Sequence, residues 1–277
     1  MTDASVKEKK LLDKIIRDEA EVSSDFRKAN AFTGTMTALW EMWAEFHHEW
    51  KRITVASLIT PFLYMVALGW GLGAMINTGD RPYIDFLVPG LVAMAGMNNG
   101  FTSVGMSFST QRLYERSFDQ VLISPTPLPS YIFGKMLGGA LRGMYTGVLI
   151  LLLSLIFGTS INVNGWFFLL MLLNGMVFSA LGVLAALLAV THADISRFST
   201  FVIAPMTFLC NTMFPVDRMP VVVKGIINVL PLTHASGGLR GIAYGGGASW
   251  VNFVVLAAYA AAFMILTSIV LVKRRNL

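Results

Sequence analysis

The amino-acid sequence predicts an all-α membrane protein of six transmembrane helices with both termini cytoplasmic, and three observations carry that prediction. Of its 277 residues, 55% are hydrophobic and only 13% charged, with a mean hydropathy of +0.64. A water-soluble globular chain carries about 25% charged residues, because its whole surface meets water. Apolar stretches recur at about 53–76, 84–110, 131–157, 165–190, 198–214 and 249–272, and a helix needs roughly 20 mostly apolar residues to cross a bilayer. Of the 21 lysines and arginines, only Arg81, Arg218, Lys224 and Arg240 fall in segments left outside when the N-terminus is cytoplasmic, which is the positive-inside bias. That asymmetry, facing an anionic lipid surface, also accounts for the net charge of +5 without a nucleic-acid partner. The spans use nearly the whole chain. A soluble domain of about 100–200 residues has no room beside them, so the energy for any work must come from another chain.

Three regions follow in order: a charged cytoplasmic extension over 1–38, an amphipathic interfacial helix over 39–52, and the six-span domain over 53–277. The extension lacks an early apolar run, so no cleavable signal peptide is expected. Its Leu11, Leu12, Ile15, Ile16, Val22 and Phe26 suit either a short amphipathic helix or a frayed tail. In 39–52, Trp40, Trp43, Phe46, His47 and Trp50 recur at helical spacing against Glu41, Glu45, Glu49 and Lys51. Indole rings favour the headgroup layer, so the segment is expected to lie along the membrane surface, with a wet extension of span one as the alternative. His47 and His48 are adjacent and point to different sides of a helix, which argues against a metal site.

The second and fourth spans hold neutral polar side chains. Asn98, Asn99, Ser103 and Asn174, with Asn211 in the fifth stretch, are candidates to line a path for an amphipathic substrate; hydrogen bonding between helices accounts for them equally well. The loop after span two, Gln111 to Ser124, reads as one short helix. Tyr114, Phe118, Val121 and Leu122 form its apolar stripe, Arg112, Glu115, Arg116 and Asp119 its charged face, and Pro125, Pro127 and Pro129 its stop. Such a two-faced helix at the end of a span suits a groove on a partner protein. In span three, Lys135 and Arg142 are expected to snorkel to the inner surface, while Gly134, Gly138, Gly139, Gly143 and Gly147 allow helices to approach closely. The apolar segment 219–230, broken by Pro220 and Pro231, is expected to form re-entrant or short outward-side helices between spans five and six. The run Ala235 to Leu239 is expected to be a flexible outer turn.

The function classes narrow accordingly. No phosphate-binding G-x-x-x-x-G-K-[ST], H-x-x-x-H spacing, paired-carboxylate motif or G-x-S-x-G turn is present, so no catalytic or metal-ligating residues are assigned. Acids and histidines do not cluster within the spans, which leaves ion-coupled transport without a relay. The single Cys210 supports neither a disulfide nor a thiol metal site.

Residues 36–277 resemble the type 2 ABC exporter permeases, including their nodulation-factor-export and daunorubicin-resistance branches. The resemblance rests on the Trp-rich helix before span one, on FLVPGLVAMAGM at Phe86 to Met97, on YERSFDQVLISPTPLPSYIFGKMLGG at Tyr114 to Gly139, and on FPVDRMP and PLTHASGGLRG within Phe214 to Gly241. It implies a half-transporter in the bacterial cytoplasmic (inner) membrane: two permease copies, most simply a homodimer, with two separate cytoplasmic ATPase subunits. It implies a coupling helix at about 113–123, in which Tyr114, Glu115, Arg116, Phe118 and Asp119 contact the ATPase. ATP and Mg would then be bound by the partner, with no cofactor on this chain, and the outward-side helices would roof the path near Pro215, Pro220 and Pro231. The implied activity is export of a drug, lipid, lipo-oligosaccharide or polysaccharide. A lipid-modifying membrane enzyme and an ATP-independent channel or scaffold are the alternatives.

Overall fold

The computed structural model describes residues 31–71, 73, 82–124, 126–210, 212–213, 220–247 and 249–275. Most of the extension, Asn211 and the segment 214–219 lie outside these residues. All regular structure among the described residues is helical. Helix α1 (Ala31–Tyr64) is prolonged by a π-helical segment, Met65–Gly71. It is followed by α2 (Tyr83–Leu113), α3 (Ser117–Ile123), α4 (Leu128–Ile156) and α5 (Gly165–Leu188). Next come α6 (His192–Phe198), a π-helical segment Ser199–Ile203, α7 (Ala204–Leu209), α8 (Val221–Val229), α9 (Pro231–Ala243) and α10 (Trp250–Arg275).

The contacts define two ends. At the α3 end, Thr35 Oγ1 donates to Ser130 O at 3.1 Å, and His192 Nδ1 lies 3.2 Å from Ser109 Oγ. At the opposite end, Phe62 meets Phe157, Asp85 accepts from Ser160, Tyr83 Oη donates to Met213 O, and Trp166 meets Trp250. Among the described residues the chain therefore runs along the bundle six times, as α1, α2, α4, α5, α6 with α7, and α10. Four of these runs (α1 with its extension, α4, α5 and α10) are long and apolar enough to cross a membrane.

The other two runs differ for a physical reason. Helix α2 has 31 residues, but it carries Asp85, Asn98, Asn99, Ser103, Ser107, Gln111 and Arg112 and is buried along most of its length. It packs against α4, α5 and α9, so its surroundings are mostly protein, where polar groups find partners. Glycines allow this: Gly100 faces the Gly175 backbone, Gly182 faces Phe101 O, and Gly143 faces Gly96 O. The expected fifth span, 198–214, is broken into α6, the π-helical segment and α7. Pro205 sits in the first turn of α7 and supplies no N–H, and the preceding turn relaxes into the wider π form.

Two expectations about elements are corrected. Residues 39–52 are not a separate surface helix; they form the middle of α1, which runs alongside α4 from the Gly34–Ser130 contact to the Phe62–Phe157 contact. Nothing breaks the helix there, and Gly134 and Gly138 admit Thr35, Ala38 and Met42 against α4. The run Ala235 to Leu239 is not a flexible turn but the buried middle of α9, with Ala235, Ser236 and Leu239 inaccessible. Small residues at 235–238 let α9 sink against α2 and α5. The short α8 and α9 occupy the place expected for such helices and meet at a corner at Leu230–Pro231.

Candidate functional site

At its C-terminal end, α2 is held by Arg112. The guanidinium Nη1 donates to the last carbonyls of α5, Ala186 O at 2.6 Å and Leu187 O at 2.7 Å, and to Ala189 O at 3.0 Å. A cation there satisfies acceptors that the helix itself leaves open. The chain then turns sharply. The N–H groups of Tyr114 and Glu115 both donate to Thr110 O, and Arg116 adopts a left-handed conformation with φ 54°. It is the one non-glycine residue with positive φ among the described residues, a conformation that costs an L-residue about 1–2 kcal/mol.

Beyond the turn, α3 folds back onto α2. Phe118 is buried with its ring 4.7 Å from that of Phe108, edge to face, and Val121 and Leu122 pack on the core. Glu115, Arg116, Asp119 and Gln120 are exposed. The single helix expected over Gln111–Ser124 is thus two elements around a left-handed joint. Tyr114 does not join the apolar stripe; it is 70% exposed, edge-on to His192. Phe118 faces inward as the anchor of α3 and presents no surface to a partner. Ile123, 86% exposed at the tip, was not among the expected residues, because it falls off the stripe. Nearby, the N–H groups of Thr191 and Val190 bond the Asp194 carboxylate, which caps α6.

A polar seam runs from this turn along α2. Ser103, Ser107 and Gln111 follow one another at four-residue intervals within α2, which places them on one helix face. Lys135 of α4 is only 1% exposed; its Nζ lies 2.9 Å from Glu41 Oε2 and 3.1 Å from Gln111 Oε1. Gln111 Nε2 donates to Glu41, and Tyr131 Oη donates to Glu41 Oε2 at 3.1 Å. One turn further along, Ser107 Oγ donates to Glu45 Oε2 at 2.8 Å, and Arg142 Nη1 lies 3.3 Å from Glu45 Oε1. Lys135 therefore does not snorkel. Its carboxylate partner, the part-exposed Glu41, is within reach because α1 continues alongside α4.

The seam ends in a cleft of about 470 Å³ between α1 and α2, closed on one side by Glu45 and Arg142. Asn98, Asn99 and Ser103 line it together with Ser57, Thr60 and Thr102. The structure thus brings three of the five candidate path residues into one space. Asn174 is elsewhere: it is buried and donates to Ala93 O at 2.9 Å, bonding α5 to α2. Asn211 lies outside the described residues. Of the surface aromatics, Trp40, Trp43 and Trp50 are exposed, whereas Phe46 stacks edge-on against Tyr145 and lies beneath Arg142. At the opposite end Arg240, expected in an outer loop, is buried with Nε and Nη2 on Phe86 O and its guanidinium 3.6 Å from the Phe86 ring. No group of three or more potential metal ligands occurs among the described residues.

Comparison with known proteins shows the family. The family model described as ABC-2 type transporter matches residues 33–244. The inner membrane transport permease YadH of Escherichia coli (strain K12) is 32% identical over 212 residues, covering 73% of this chain and 81% of that protein. Nodulation protein J of Rhizobium meliloti (strain 1021) is 27% identical over 242 residues, covering 84% and 92%. The chain belongs to the ABC-2 type transporter family. It is a multi-pass membrane transport permease, not an enzyme.

Proposed function

We propose that this ABC-2 family member is the permease subunit of an ATP-driven exporter, working as a homodimer with two separate ABC ATPase subunits. The observation that carries the reading is the turn after α2. Its joint at Arg116 sets Tyr114, Glu115, Asp119, Gln120 and Ile123 outward, while Phe118 and Arg112 fasten it to α2 and α5. A charged tip around an apolar contact, rigidly tied to the bundle, can receive force from a protein docked on it. In this reading the α3 end is cytoplasmic and the six runs are six spans of the inner membrane, with both termini inside. Support comes from α1, whose Gly34 and Thr35 meet Thr126 and Ser130 at the α3 end. The cleft lined by Asn98, Asn99 and Ser103 is then part of the route of an amphipathic or lipid-linked substrate. ATP and Mg belong to the partner, and α3 transmits the closure of the ATPase pair. The names of the relatives, an inner membrane transport permease and a nodulation protein, accord with this role.

Affinity purification after co-expression with candidate ABC ATPases of the same organism provides the test. The wild-type chain retains the ATPase, and Glu115→Ala with Asp119→Ala lowers the amount retained about tenfold, the equivalent of 1.4 kcal/mol. Equal retention by wild type and variant removes α3 as the docking element.

A further inference from the structure

We propose that the polar seam of Glu41, Glu45, Ser107, Gln111, Lys135 and Arg142, buried at Gln111 and Lys135, is the linkage that carries movement of the ATPase-docked turn to the cleft. The inference rests on the docking reading above and adds the path by which docking reaches the substrate route. Three features of the structure support it.

The seam is continuous from one site to the other. The face of α2 that bears Gln111 and Ser107 ends at the turn that begins with Tyr114 and, at its other end, has Ser103 in the cleft wall, and Gln111 Nε2 also donates to Ser107 Oγ at 3.2 Å. Glu45 and Arg142 are at once the last pair of the seam and part of the cleft lining.

The seam also fixes register where packing does not. Helices α1 and α4 meet through glycines: a Cβ on Gly134 would fall 2.6 Å from Thr35 O, and one on Gly138 would fall 2.8 Å from Met42 Cβ. Such faces set how close two helices come, but they offer few ridges to stop sliding. Glu41 facing Lys135 and Glu45 facing Arg142 select one register. Separating Glu41 from Lys135, which is 1% exposed, would leave a charge in a low-dielectric interior without its counter-charge. The three helices therefore shift together.

Finally, the turn cannot absorb the movement alone. Phe118 on Phe108 fastens α3 to α2, and Ser107 and Gln111 on the adjoining face tie α2 to the two carboxylates of α1. Glu41 and Gln111 position Lys135, and Glu45, itself in the cleft lining, positions Arg142.

The experiment uses the full chain in complex with its ATPase in lipid nanodiscs, with an environment-sensitive thiol dye on a single introduced cysteine. Thr102→Cys reports from the cleft and Gln120→Cys from the exposed tip of α3; native Cys210 is buried. In the otherwise wild-type complex, ATP with Mg changes both signals. The neutral double variant Glu41→Gln with Lys135→Met removes both charges together, since removing one alone strands the other. It is expected to keep the Gln120 response and lower the Thr102 response about fivefold or more, the scale of an energetic coupling between sites. The exchanged pair Glu41→Lys with Lys135→Glu is expected to restore it in part. An unchanged Thr102 response in the neutral variant overturns the linkage and leaves docking intact. Loss of both responses in that variant also overturns it, because the seam is then a prop for the turn. A Gln120 reporter silent in the otherwise wild-type complex overturns the docking reading, and the linkage with it.

Discussion

Lys135 shows how a single side chain is misread when its partner lies far along the sequence. A lysine near the end of an apolar helix is expected to reach for water, yet here it is enclosed by Glu41, Gln111 and Tyr131. That enclosure depends on the register of α1 against α4, which composition does not encode. The adjacent glycines of α9 make the same point in a form that can be measured. A methyl group on Gly238 would lie 2.6 Å from Leu170 Cδ2 and 2.9 Å from Asn252 Nδ2, whereas one on Gly237 meets nothing within 4 Å. Leu170 is itself fully buried and has no space to retreat into. Gly238→Ala is therefore expected to cost about 1–3 kcal/mol through overpacking. Gly237→Ala should be neutral or stabilising by up to about 1 kcal/mol, since alanine favours a helix over glycine. Thermal unfolding in nanodiscs checks both, with the melting temperature falling for the first and holding or rising for the second.

Single elements were legible to the degree that their sequences are continuously apolar. Helices α4, α5 and α10 stand out by hydropathy, and their apolar stretches match the helices closely. The joint at 114–116 was hidden because Tyr114, Phe118, Val121 and Leu122 keep helical spacing across it, although Arg116 is left-handed. The helix α9 was hidden because Ser236, Gly237, Gly238 and Arg240 resemble a loop in water, while in a packed bundle small residues are a contact surface. The seven residues of α3 are too few to persist as a free helix, so its order depends on the Phe118 anchor. Phe118→Ala removes that anchor at a cost of about 3–5 kcal/mol. The locally open population then rises by about a hundredfold to several thousandfold, at 1.4 kcal/mol per tenfold, and proteolysis that cuts the open form follows it. Limited trypsin digestion should cut at Arg116 correspondingly faster, while α4 and α5 stay intact. Unchanged cleavage would place the stability of α3 elsewhere.

At the scale of the whole molecule, six passes depend on the run through α6 and α7. Its Ser196, Arg197, Ser199 and Thr200 make it too polar for a lone span, and it is interrupted by a π-helical segment. Protein covers one face of it, where the Phe198 ring stacks 5.4 Å from Phe101 of α2 and Ile195 and Ile203 are buried, while Ser196, Arg197 and Thr200 stay exposed. If it crosses, the α4–α5 loop and the α9–α10 turn share one side, as their contact through Asn162 N–H and Ala243 O requires. If it does not, one of these segments must change sides and that contact is lost. Single cysteines at exposed Val163, Ser249 and Gln120 distinguish the two cases. A membrane-impermeant thiol reagent added to intact cells should label Val163→Cys and Ser249→Cys equally. It should reach Gln120→Cys only after the membrane is opened. Labelling of Val163→Cys without Ser249→Cys would reduce the passes to five and place the C-terminal end of α10 opposite the start of α1.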